Sequence, residues 1–293
     1  MPAALLVWLD TIIQGVLLGG LYALYATGLS LIFGIMRLVN LAHGDLIVFA
    51  AFLILALAST LGIDSVVAFV IAVPIMFAVG YAIQAFLFNR TLGTDILPPL
   101  LVSFGLSIVI QNGLLEAFSA DTRRLPIGEI AGVSLPLGGG IAVGVMPLLS
   151  LGAAVLVLLG LSQLFYRTSL GRALRATSDD TETAQLMGID NERIYAIAMG
   201  LAMAVCAVAA FFLGSRAPFD PSIGPARLIY AFEAVIIGGL GSLWGTLAGG
   251  IVVGVAQTVG ARINPEWQIL AGHVAFLIVL VLRPRGFFPR AVD

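Results

Sequence analysis

The sequence predicts an all-α fold, a polytopic transmembrane helical bundle. Three observations predict it. Sixty per cent of the 293 residues are hydrophobic and 10% are charged, against roughly 25% charged in an ordinary soluble domain. Mean hydropathy is +1.09, more apolar surface than a water-soluble core can hide. The apolar residues come in long runs without period-2 alternation, which favours spanning helices over barrel strands.

A hydrocarbon core about 30 Å thick needs about 20 apolar residues per helix. Such runs occupy 11–33, 39–60, 65–88, 96–118, 141–165, 194–214 and 269–283, with a glycine-broken region at 228–261. Pro74, Pro98 and Pro99 suit kinks or helix starts. The region 228–261 decides the topology. As one pass, it leaves the 166–193 loop and the C-terminal tail on opposite faces; as two passes broken near Gly238–Gly245, it puts them on the same face. The loop carries Arg167, Arg172, Arg175 and Arg193, and the tail carries Arg283, Arg285 and Arg290. The positive-inside rule places both in the cytoplasm, so two passes are expected. Arg37 and Arg90 then also fall inside, with nine arginines cytoplasmic and five external. The expected chain is one domain over 1–293, with about eight to nine spans, some broken or re-entrant, and a cytoplasmic loop at 166–193.

All 14 cationic side chains are arginine. A phosphate-binding P-loop requires a lysine, so any ATP-driven motor must be a separate polypeptide, with ATP and magnesium bound there and no cofactor expected in this chain. Cys206 stands alone and can form no intrachain disulfide. The first apolar run lacks a basic leader, so a cleaved signal peptide is not expected. The net charge of −2 gives no sign of a nucleic-acid partner.

Two interrupted regions stand out. "GIMRLVNLAHGDLIVFAAF" (Gly34–Phe52) places Arg37, Asn40, His43, Gly44 and Asp45 between oily runs, and Gly238–Gly254 is rich in glycine. Paired interruptions in the two halves point to an inverted repeat and a midplane pathway. Gly241, Gly245 and Gly249, with Gly250 and Gly254, also fit small-residue helix packing; the doublet Gly238–Gly239 suits a real break. Asn40, His43 and Asp45 fit either a polar staple for backbone groups freed in the membrane or a lining for a zwitterionic substrate. Arg37 marks the cytoplasmic boundary. Glu233, inside a span, is a pathway candidate, or pairs with Arg227 or another outer arginine. Gln111 suits an interhelical hydrogen bond, Glu116 an interfacial position and His273 a packing role.

In the loop, Arg172, Arg175 and Ala176 share a helical face. Asp179 is placed to cap a second short helix with Glu182 as its capping partner. Thr183, Ala184 and Met187 share a face of that helix, and Gly188 is placed as its stop. A short amphipathic helix suits docking in a partner's groove, and Asp179, Asp180 and Glu182 disfavour an anionic lipid surface.

The Gly34–Phe52 segment resembles the signature of permease subunits of Liv-type branched-chain amino acid ABC importers. Leu97–Phe118, Gly171–Ile189, Ala231–Val255 and "LRPRGFF" (Leu282–Phe288) are similar to the same family, in its order. The length looks like the H-type subunit rather than the longer M-type. The resemblance implies an importer of the bacterial inner membrane: a homologous M-type permease, two cytoplasmic ABC ATPases and a periplasmic substrate-binding protein as partners, with membrane lipid around it. It implies that Arg172, Arg175, Asp179, Glu182, Ala184, Met187 and Gly188 belong to an ATPase coupling element. Glu233 and Gln257 depart from the family's usual residues, which keeps urea, short amides and aromatic acids open as substrates. A stand-alone secondary transporter would need a relay of buried acids, of which Glu233 and Asp45 are sparse candidates. An intramembrane enzyme lacks a convergent catalytic set.

Overall fold

The computed structural model describes residues 3–93, 95 and 97–288; Arg290 lies outside the described residues. Eleven α-helices are present among them: α1 (Ala3–Met36), α2 (His43–Leu61), α3 (Ser65–Phe86), α4 (Leu97–Phe118), α5 (Val145–Arg167), α6 (Ser169–Asp179), α7 (Thr181–Leu186), α8 (Asn191–Arg216), α9 (Gly224–Gly238), α10 (Leu243–Ile263) and α11 (Trp267–Leu282). A small antiparallel hairpin, β1 (Ser134–Gly138) and β2 (Ile141–Gly144), precedes α5. Seven helices are long and apolar enough to cross a membrane; α11, with 16 residues, is shorter.

Helices α1 and α8 form the buried centre. They pack on each other, α1 also lies along α10, and α8 lies along α3. The α1–α10 contact is made at backbone level. A Cβ at Gly15 or Gly19 would strike the main chain of α10, and one at Gly250 or Gly254 the main chain of α1. Small residues permit this approach where lipid offers no hydrophobic drive for helix association. The outer helices keep apolar side chains on their exposed faces, among them Val70, Leu101 and Leu156.

Both ends of the bundle are fixed by hydrogen bonds. At one end Ser178 Oγ donates to the Gly34 carbonyl at 2.6 Å. There the N–H groups of Phe287 and Phe288 donate to the carbonyls of Ile237 and Gly238, at 2.9 and 3.0 Å. Those carbonyls are orphans of the α9 C-terminus, so the "LRPRGFF" tail straps the helix end. Loop, tail and α9–α10 turn therefore share one face, the cytoplasmic face by charge. At the opposite end, Arg123 pairs with Phe219, Ser65 Oγ donates to Pro126 O and Gln14 Nε2 to Ala142 O.

Several expected boundaries move. The run at 39–60 is not helical throughout, because residues 37–42 are outside helix and α2 begins at His43. The run at 141–165 starts as strand β2. In 228–261, α9 begins earlier, at Gly224, and ends at Gly238 as expected; α10 is a full-length 21-residue helix rather than a short pass.

The repeat is visible in the packing. Contacts of α1 with α9 and α10 match those of α8 with α2 and α3, while α2 meets α9 and α1 meets α8. The glycine doublet is not the partner of the opening stretch. Gly239 (φ 103°) and Gly241 (φ 79°) make the turn between α9 and α10, at the cytoplasmic face. Its counterpart is the α2–α3 turn at Gly62 (φ 64°), on the outer face. The segment that matches 37–44 is 217–224.

Candidate functional site

After Met36 the chain leaves α1 at the cytoplasmic end and runs back into the bundle. Arg37 takes a left-handed conformation, φ 52°, and stays exposed at this boundary. The Asn40 Oδ1 accepts the Ala42 N–H at 3.0 Å, and the His43 N–H donates to the Asn40 carbonyl at 3.2 Å. This is an Asx turn, and it starts α2 deep in the protein. His43 donates from Nε2 to the Tyr25 carbonyl at 2.8 Å. Tyr25 lies about 16 Å along α1 from Met36, from the helical rise. Cys206 Sγ, 3.8 Å from the His43 ring, sits about 22 Å along α8 from its start.

The second junction repeats this backbone. Asp220 Oδ1 accepts the Ser222 N–H at 2.9 Å, and the Ile223 N–H donates to the Asp220 carbonyl at 3.4 Å. Helix α9 then begins at Gly224. The same spacing of 180 positions separates Asn40 from Asp220, His43 from Ile223 and Gly44 from Gly224. The two junctions meet at the glycines: a Cβ on Gly44 would overlap the Gly224 carbonyl, and one on Gly224 would overlap the Asp45 carboxyl. Asp45, 1% exposed, therefore lies at the N-termini of both α2 and α9, where the macrodipoles favour an acidic group. Its Oδ2 accepts from Ser107 Oγ at 2.5 Å, and Gln111 Nε2 donates to Ser107 Oγ at 3.1 Å. Gln111 also hydrogen-bonds the Asp45 side chain, so α4 reaches α2 through both Ser107 and Gln111. Asp45 Oδ1 and Asn40 Nδ2 have no hydrogen-bond partner among the described residues.

A second polar cluster lies along α9. Glu233, 3% exposed, pairs through Oε1 with His273 Nδ1, and not with any arginine among the described residues. His273 is accordingly more than a packing residue. Tyr230 stacks on Tyr22 with centroids 4.9 Å apart, Arg227 lies 6.0 Å over the Tyr230 ring, and Tyr22 donates its hydroxyl to Gln257 Oε1 at 2.6 Å. The Tyr25 hydroxyl, Arg227 Nε, Glu233 Oε2 and Gln257 Nε2 are buried without hydrogen-bond partners among the described residues. At membrane depth such groups are costly unless something meets them. Gly238 and Gly239 lie apart from both clusters, at the cytoplasmic turn.

The cytoplasmic loop folds as two short helices tied to α8: Thr177 Oγ1 donates to Asn191 Oδ1 at 3.1 Å and Asn191 Nδ2 to Thr181 O at 2.8 Å. Asp180, not Asp179, caps α7. Its Oδ1 accepts the N–H groups of Glu182 and Thr183, both at 3.0 Å, and its Oδ2 accepts from the Thr183 hydroxyl at 2.6 Å. The Thr183 bonds hold the Asp180 carboxyl below its ordinary value. Asp179 is the last residue of α6, and Thr183 takes the place expected for Glu182. Gly188 does stop the element, at φ 84°. Ala184 is buried; Leu186 and Met187 are displayed instead, 87% and 79% exposed. Arg172 is exposed, and Arg175 lies 5.0 Å over the Tyr166 ring.

Sequence reading missed Asp220 and Gly224, although "DPSIG" (Asp220–Gly224) carries the spacing of "NLAHG" (Asn40–Gly44). It also missed Ser107 and the tyrosine cluster, whose meeting depends on tertiary packing.

The sequence profile of the family described as branched-chain amino acid transport system / permease component matches residues 11–282. The chain belongs to this family. The permease is 31% identical over 97% of its length to the high-affinity branched-chain amino acid transport system permease protein BraD of Pseudomonas aeruginosa, covering 96% of that protein. It is 29% identical to the permease protein LivH of Escherichia coli K12, with 99% of this chain and 98% of that one covered. The probable LivH of Methanocaldococcus jannaschii is 27% identical, over 85% of this chain and 80% of that one. It is a multi-pass inner-membrane permease subunit of an ABC importer, and its broken helices are features of that bundle.

Proposed function

We propose that this permease carries branched-chain amino acids inward across the membrane, working with two separate cytoplasmic ATPases, a homologous M-type permease and a periplasmic binding protein. The observation that carries this reading is family membership over nearly the whole chain, joined by relatives named for branched-chain amino acid transport. The absence of lysine, and with it of a P-loop, supports motors and their ATP and magnesium on other chains. The 166–193 loop is the coupling element. Leu186 and Met187 enter an ATPase groove, with Arg172, Arg175, Asp179 and Glu182 around them and Ala184 and Gly188 setting the helix. In the membrane, Asn40, His43 and Asp45 staple the α2 junction, and the unpartnered groups around Glu233 mark the polar side of the pathway.

The test is purification of the tagged permease with its partners and reconstitution in liposomes. The reading expects co-purifying P-loop ATPases and ATP-dependent uptake of leucine, isoleucine or valine when binding protein is supplied. Uptake without ATPases would overturn the ATP-driven mechanism. ATP-dependent uptake of urea, amides or aromatic acids, with none of the branched-chain amino acids, would overturn the substrate.

A further inference from the structure

A pocket of about 170 Å³ opens at the cytoplasmic end of the bundle, away from both membrane clusters. Four elements wall it: α1 through Ser30, α5 through Ser162 and Tyr166, α6 through Arg175, and the first turn of α10 through Leu243 and Trp244. We propose that it binds a phosphate group, carried either by an anionic lipid headgroup or by soluble phosphate.

Three independent features support an anion. The first turn of a 21-residue helix lines the pocket. The Ser242 hydroxyl takes the Gly245 N–H at 3.2 Å, leaving the N–H groups of Leu243 and Trp244 outside the intrahelical ladder, where the macrodipole favours negative charge. Arg175 brings a full positive charge, positioned over the Tyr166 ring at 5.0 Å, and among the described residues no carboxylate lines the pocket. Ser30 is 1% exposed, and its Oγ has no hydrogen-bond partner among the described residues. A buried hydroxyl left unmet in the wall of a cationic pocket is a donor waiting for an acceptor. Tyr166 and Trp244, 71% and 45% exposed, stand at the level where aromatic side chains meet headgroups, and clefts of this kind between spans accept lipid phosphates. Occupancy would join α6 of the loop to α1 and to the α9–α10 turn.

The test uses the full-length chain, delipidated in maltoside detergent, with Trp8→Phe and Trp267→Phe so that Trp244 reports alone. Its fluorescence is titrated with dioleoylphosphatidylglycerol in mixed micelles and, separately, with inorganic phosphate. A saturable change is expected with the lipid. Arg175→Gln should weaken it about tenfold or more, and Ser30→Ala about threefold, the range of a charged and a neutral hydrogen bond. Saturation by lipid alone assigns the site to headgroups; saturation by both shows that the phosphate group suffices. No saturation by either would overturn the proposal. So would unchanged affinity in Ser30→Ala, a variant too small a change to unfold the chain, together with unchanged affinity in Arg175→Gln.

Discussion

The two re-entrant junctions, 37–44 and 217–224, solve one backbone problem with different side chains. Both turn on an Asx residue, after which α2 starts at His43 and α9 at Gly224, inside the bundle. At the first, His43 and Asp45 close on a carbonyl of α1 and a hydroxyl of α4. At the second, Ile223 and Pro225 occupy the equivalent positions, with proline preset for the first helical turn. The backbone geometry is shared because both breaks face the same lack of water. The polar side chains that reach other helices, His43 and Asp45, belong to the first, where α2 is fixed against both α1 and α4.

The glycines should be the shared and most sensitive element. Gly44→Ala forces a Cβ into the main chain at Gly224 and Leu228, and Gly224→Ala forces one into the Asp45 carboxyl and its Cα. Each should cost about 3 kcal/mol, read as a large drop in monodisperse protein and in midpoint temperature. If either alanine is tolerated, the junctions do not touch as described.

The side chains should break the symmetry. His43→Ala removes a buried ring and its bond to Tyr25 and should cost about 2–3 kcal/mol. Ile223→Ala, at a half-buried site, should cost about 1 kcal/mol. Equal thermal shifts would mean that the histidine holds nothing. Asp45→Asn keeps an acceptor for Ser107, whereas Asp45→Ala leaves the Ser107 hydroxyl buried without its partner, so the alanine should be worse by about 1–2 kcal/mol.

The mildest expected effect lies in the loop. Asp180→Ala should speed hydrogen exchange over 181–187 and leave the membrane helices unchanged. Asp180 is held below its ordinary value of 3.8 by Thr183. Its cap therefore contributes fully above that pH and is lost as pH falls through the lower folded value. The protection factor of the α7 amides, taken against the intrinsic exchange rate at each pH, should be flat through neutral pH and fall only below the ordinary carboxylate range. Asp179→Ala should do neither, since Asp179 does not cap the helix.

Span positions and the shared face of loop and tail were legible in the sequence, because hydropathy runs and arginine bias act locally. The Gly34–Phe52 break was legible too, since polar residues interrupt an oily run. Its partner was not. The "FDPSIGP" segment reads as an ordinary external loop, and only its contact with Gly44 shows that it turns inward. The Gly238–Gly239 doublet was misplaced for the converse reason: left-handed turns between antiparallel helices use the same glycines as breaks inside the membrane. Glu233 was legible as a buried acid, but its His273 partner lies on another helix.

An experimental structure of the assembled transporter in lipid nanodiscs would test the central claim most directly, by measuring where α2 and α9 begin. Gly44 and Gly224 should be found in backbone contact near the membrane midplane, with 37–42 and 217–223 outside helix. A continuous helix from Arg37 through Asp45, starting at the cytoplasmic boundary and separated from Gly224, would contradict it.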